Sequence, residues 1–216
     1  MADFVSELNR EAKQHFAISG LFVIGTLLAL LVAAYGILFP LLLPEMPDEF
    51  HQRYLRMSQT LVYMHVVGAG VALLIAPIQF MIYRKNRILH RYLGRTYFLS
   101  VIVGGIGAYY MAWYAFGGVI STVGLGMLAT IWWSFTLLAV IYARAGNIAA
   151  HRRWMIRSFS LTYAAVTLRL ISPILGMVFD QVTTFQIIYW LSWILNLILA
   201  QLWINWREGR VRIPAF

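Results

Sequence analysis

Long runs without charge dominate the chain, and they recur at a spacing that suits helices crossing a bilayer. A helix needs about 20 apolar residues to span the hydrocarbon layer. One such run extends from Ala17 to Phe39 and a second from Met57 to Tyr83, interrupted only by His65. Between Arg95 and Arg144 there is no charged residue at all, which is room for two helices with Gly117-Gly118 as the turn between them. A fifth run goes from Ser158 to Phe179 and carries Arg169, and a sixth goes from Gln181 to Trp206. The pattern predicts an all-α, polytopic membrane bundle of six transmembrane helices. It divides the chain into a polar N-terminal segment (1–16) suited to a short interfacial helix, a six-helix domain (17–206) and a basic tail (207–216). The first run is longer than a signal-peptide core and follows Asp3, Glu7 and Glu11, so a retained helix is expected.

Charge orients this bundle. With six spans, both termini share a side with the loops around 84–95 and 144–157. That side holds 14 of the 17 Lys and Arg residues, whereas Arg53 and Arg56 lie on the other and Arg169 lies within a span. The positive-inside rule then places both termini in the cytoplasm, and the expected location is the bacterial cytoplasmic (inner) membrane. Composition agrees: 61% of residues are hydrophobic and 12% charged, and mean hydropathy is +0.73. A soluble fold needs far more charge to cover its surface. The net charge of +9 is accounted for by topology, so no nucleic-acid partner is needed; membrane lipids are the expected surroundings, and partner subunits are open. The chain has no cysteine, which removes thiolate metal sites and Cys nucleophiles. Phosphate-loop, zinc-protease and nucleophile-elbow motifs are absent too, and no span carries the carboxylates of a cation-coupled relay.

Residues at alternating steps of three and four share a helix face. The second run then presents His65, Ala69, Ala72, Ala76 and Gln79. The third presents His90, Gly94, Tyr97, Val101, Gly104 and Ala108. The fifth presents His151, Ser158, Thr162, Ala165, Arg169 and Ser172, and the sixth Tyr189, Trp193, Asn196, Ala200 and Trp203. Such mixed small and polar faces should point inward. Two sites follow. His90 and His151 each open a helix at the basic side in a His-Arg pair. Two imidazoles on different helices are a way to hold haem b, with His90 and His151 on the iron and Arg91 and Arg152 facing the propionates. The alternative is that these pairs contact lipid phosphates. His15 and His51 lie outside the runs and are expected in solvent.

The second site is a ligand pocket. Arg169 lies about 18 Å along a helix from Arg157, and His65 about 10 Å from the far boundary, so both fall at similar depth in the outer half. A guanidinium there is costly and is expected to meet a carbonyl, an anion or a quinone. Ala69, Ala72 and Asn196 would form the walls. A purely structural clamp on helix carbonyls near Pro173 is the competing role for Arg169. Gln79 fits either this pocket or the backbone freed by Pro77.

The segments Pro77-Ile78-Gln79-Phe80, His90-Arg91-Tyr92-Leu93-Gly94-Arg95-Thr96-Tyr97, His151-Arg152-Arg153-Trp154-Met155 and Ala164-Ala165-Val166-Thr167-Leu168-Arg169 resemble a bacterial family of multi-span membrane proteins known as a domain of unknown function. The resemblance implies a membrane topology and no reaction. More distantly, helix number and histidine placement are similar to di-haem b-type cytochromes and ferric-reductase-like bundles, although four in-membrane histidines in two pairs are not found here. The functional expectation is a haem- or quinone-interacting redox module, or a subunit of an electron-transfer assembly. Its alternatives are a non-enzymatic protein that binds or transports a lipid or small anion, and a structural accessory subunit.

Overall fold

The computed structural model describes residues 2–45 and 56–209, and the side chains of 20–44 and 56–209. His51 and Arg53 lie outside the described residues, as do Arg210 and Arg212. Seven helices follow in order: α1 (Ala2–Leu42), α2 (Gln59–Ile82), α3 (Arg87–Trp113), α4 (Val119–Arg144), α5 (Ile148–Thr162), α6 (Ala164–Leu175) and α7 (Gln181–Arg207), with a short 3-10 turn Leu43–Glu45 after α1. Six stretches are long and apolar enough to cross a membrane: Gly20–Leu42, α2, α3, α4, Ile148–Leu175 and α7. The fold is an all-α bundle of membrane-spanning length.

Three boundaries differ from the sequence reading. The polar N-terminal segment does not form a separate helix; it continues into the first span as one helix, Ala2–Leu42. The fifth span begins at Ile148 and not at Ser158, because the charges of its first turns find partners at the bundle end. Arg153 pairs with Glu208 at 3.0 Å, and Arg157 donates twice to Gln201 Oε1, at 3.1 and 2.7 Å. That span is also broken at Tyr163 into α5 and α6. The Ser160 hydroxyl donates to the Arg157 carbonyl, a back-bonding that competes with the helix ladder and bends it.

Local signals set the remaining ends. Asn86 and Asn147 cap α3 and α5 by accepting from Leu89 N and Ala150 N. Asp180 caps α7 by accepting from Val182 N and Thr183 N. The Thr183 hydroxyl and these amides hold its carboxyl below the usual carboxylate range. At the same end of the bundle, Gly117 and Gly118 turn the chain with φ of 101° and 70°, which only glycine adopts without strain.

The helices form a ring in the order α1, α2, α3, α4, α7, α6, with α5 continuing α6 toward the basic end. The tightest contact in it is glycine-made. A Cβ on Gly68 would lie 2.9 Å from Gly104 Cα, and one on Gly107 would lie 2.6 Å from His65 N and run into the Leu61 carbonyl. The backbones of α2 and α3 therefore touch, as small residues permit in membranes.

Inside the ring sits a closed circuit of hydrogen bonds. Trp132 Nε1 donates to Thr162 Oγ1 at 2.9 Å, Tyr97 Oη meets both Thr162 Oγ1 and Ser158 Oγ at 2.8 Å, Ser158 meets Thr136 at 2.6 Å, and Thr136 donates to the Trp132 carbonyl at 2.7 Å. Each hydroxyl has one proton. A single sense satisfies every contact: Trp132 to Thr162 to Tyr97 to Ser158 to Thr136 and back to Trp132. The circuit ties α3, α4 and α5 together at a depth where water cannot substitute.

Candidate ligand cavity

The ring is not filled at the end opposite the basic loops. A cavity of about 410 Å³ lies there, bounded by side chains from every helix of the ring, which is a size that holds a small ligand head group. Its walls are largely apolar and carry aromatic rings from four places, with Tyr35 and Phe39 from α1, Phe116 from the glycine turn, Trp132 from α4, and Phe185 and Tyr189 from α7. Among the described residues, no Asp or Glu lines it. The polar groups are few: His65, Thr162, Arg169 and Ser192 belong to the lining, with Trp132 and Thr162 bringing the hydrogen-bonded circuit to its floor.

Each of these groups is positioned by the fold. His65 stands on α2 where that helix touches α3, and its Nδ1 is 3.0 Å from the Gly104 carbonyl. A carbonyl accepts only, so Nδ1 carries the proton and the neutral ring keeps its lone pair on Nε2. Arg169 comes from the restarted helix α6. One turn earlier Val166 packs on Ala29 and Ala33 of α1. Arg169 therefore reaches the same helix at Tyr35, its Cζ 5.3 Å from the ring centroid, in cation–π contact. Its Nη1 donates to the Ala165 carbonyl at 2.9 Å. The guanidinium is exposed at the rim of the cavity, not sunk in the bundle as its face had implied. His65 and Arg169 both line this cavity. Ser192 is fully buried in the wall, and its Oγ has no hydrogen-bond partner.

Other expected site residues lie elsewhere. Ala72 is packed in the core. Asn196 is not in the cavity lining: its Oδ1 accepts from Thr167 at 2.9 Å and its Nδ2 donates to the Ser160 carbonyl at 3.1 Å, so it splints the α5–α6 break. Gln79 is also absent from the lining. It sits toward the basic end and donates to the His90 carbonyl at 3.0 Å, not to backbone near Pro77. His90 and His151 lie within electrostatic range of each other. His151 Nδ1 is 2.8 Å from the Ala139 carbonyl, while His90 Nδ1 is buried without a partner. Arg152 lies over the Tyr83 ring at 5.8 Å, and Arg91 is exposed. Among the described residues, no three His, Cys, Asp or Glu side chains come together as a metal site.

The HR-bearing helices, the α2–α3 glycine contact and the Arg169 helix form one continuous stretch, and it is this stretch that a known family shares. Residues 62–204 match the family described as predicted membrane protein (DUF2306). The chain belongs to that family. The DUF2306 match begins within α2 and ends near the close of α7, so it takes in His65, Arg169 and Ser192. Tyr35 and Phe39 come from α1, outside the matched stretch. No curated protein and no solved structure matches the chain.

The sequence reading missed Tyr35, Phe39 and Ser192. A signal for α1 exists: Gly25, Ala29, Ala33 and Gly36 form a small-residue stripe, which marks the face packed on its neighbours and hence the aromatic residues beside it. Ser192 had no such signal, because a lone serine in a span is ordinary.

Proposed function

We propose that this DUF2306 protein holds a quinone-type head group in the cavity and acts as a quinone-interacting module of a bacterial inner-membrane electron-transfer assembly. The observation that carries the reading is the joint presence of His65 and Arg169 on one apolar cavity to which Tyr35, Phe39, Trp132, Phe185 and Tyr189 bring aromatic rings. A planar ring carrying oxygens suits such walls. Arg169 supplies N–H donors to a ring oxygen, and His65 Nε2 accepts from a hydroxyl on the reduced ring. A lipid phosphate or small anion is the second reading, favoured by the guanidinium at the cavity rim. Equilibrium titration distinguishes them. A long-chain benzoquinone should bind the purified protein in phosphatidylcholine nanodiscs saturably and be displaced by its quinol, but not by phosphatidylglycerol. Displacement by phosphatidylglycerol alone would move the function to the second reading.

The same proposal places both termini and the basic loops in the cytoplasm, on the strength of the charge count, and the cavity in the outer half. Because the chain has no cysteine, single Cys probes are clean. Val119→Cys should react with an impermeant maleimide in intact cells, and Arg84→Cys only after permeabilisation. The opposite pattern would invert the orientation.

A further inference from the structure

The ring of helices is not equally tight all round. α1 packs along α2 and meets α6 only lightly. Toward the basic end that seam is closed: Tyr163 Oη donates to the Gly25 carbonyl at 3.1 Å, and Ala29, Ala33 and Val166 are fully buried together. The closure stops at the stack of Arg169 on Tyr35. Beyond it, the flanking side chains face outward, with Leu38 47%, Leu170 50% and Ile174 61% exposed. Tyr35 and Arg169 both line the cavity and are both exposed, so the cavity reaches the bundle surface between α1 and α6, at a depth that is hydrocarbon on this topology.

Resting on the quinone reading, we infer that the α1–α6 seam is a lateral portal and that the ligand is a lipid-phase molecule whose long isoprenoid tail lies in it. Two observations point to the occupant. The cavity is sized for a head group alone, so a tail of many carbons must leave it, and Tyr35 and Arg169, which line the cavity, are exposed at this seam. The stacked Arg169–Tyr35 pair lies across the path. It offers the guanidinium to the polar head as it passes, and the Tyr35 ring to the first tail carbons.

The test compares two probes on the full-length protein in phosphatidylcholine vesicles: a dimethoxybenzoquinone carrying a ten-unit isoprenoid tail, delivered from the lipid, and the same ring without a tail, added in water. Bulky side chains beside the portal, Leu38→Trp with Leu170→Trp, should slow binding of the tailed ring at least tenfold and leave the tail-less ring within twofold of the unaltered protein. Leu38→Ala with Leu170→Ala should bind the tailed ring no more slowly than the unaltered protein. An unchanged rate for the tailed ring in the Trp variant, or equal slowing of both probes, would overturn the portal. Failure of the unaltered protein to bind either probe would instead overturn the quinone reading, and the portal with it.

Discussion

Arg169→Leu should weaken quinone binding roughly 10- to 100-fold, the worth of one desolvated charge-assisted hydrogen bond. The substitution keeps apolar volume against Tyr35 and lets the helix carbonyl of Ala165 keep its backbone role, so the bundle should still assemble. Arg169→Lys should recover only part of the affinity, because an ammonium keeps the charge but not the planar fork that can address a ring oxygen and the Ala165 carbonyl together. His65→Phe should give a milder loss that falls mainly on the quinol, the form that donates to Nε2. If Arg169 were only a clamp, Arg169→Leu would lower the melting temperature and leave affinity untouched.

The largest expected loss of stability comes from Gly107→Val. A side chain there meets the Leu61 carbonyl and the His65 backbone, and neither is the flexible end of a side chain that could swing aside. Overpacking of this kind costs about 1–3 kcal/mol where side chains can adjust, and here the helices themselves must separate, so about 3 kcal/mol or more is expected. Separation would also carry His65 off the Gly104 carbonyl, so affinity should fall with stability. Gly126→Ala is the matched control. Nothing lies within 4 Å of the added methyl in α4, and the change should stabilise by about 0.5–1 kcal/mol through helix propensity. Thermal unfolding in detergent, followed by tryptophan fluorescence, reads both.

Span number and the glycine turn at 117–118 were legible because they rest on patterns that repeat: uncharged runs of fixed length, and glycines where φ must be positive. The depth argument also brought His65 and Arg169 to one cavity, since a helix advances by a constant rise. The walls were legible only in part: Ala69 lines the cavity as expected. Ala72 and Asn196 share faces with cavity residues, yet each lies closer to the basic end, where the helices converge on the Tyr97 circuit and leave no space. The break at Tyr163 rotates α6 relative to α5, so a stripe drawn straight from His151 to Arg169 could not show that Arg169 ends at the rim. Gln79 was read against the proline two residues before it. Its partner is instead the His90 carbonyl across the α2–α3 turn.

The central claim is that the cavity far from the basic loops holds the quinone head, and photoaffinity labelling tests it most directly. A long-tailed azidoquinone is irradiated with the protein in nanodiscs, and the attached peptides are sequenced by mass spectrometry. Labels are expected within 35–39, 65–69, 161–169 and 185–192, the stretches that line the cavity, and excess unlabelled quinone should abolish them. Labels confined to the basic end around His90 and His151, or spread over the lipid-facing surface without competition, would contradict the account.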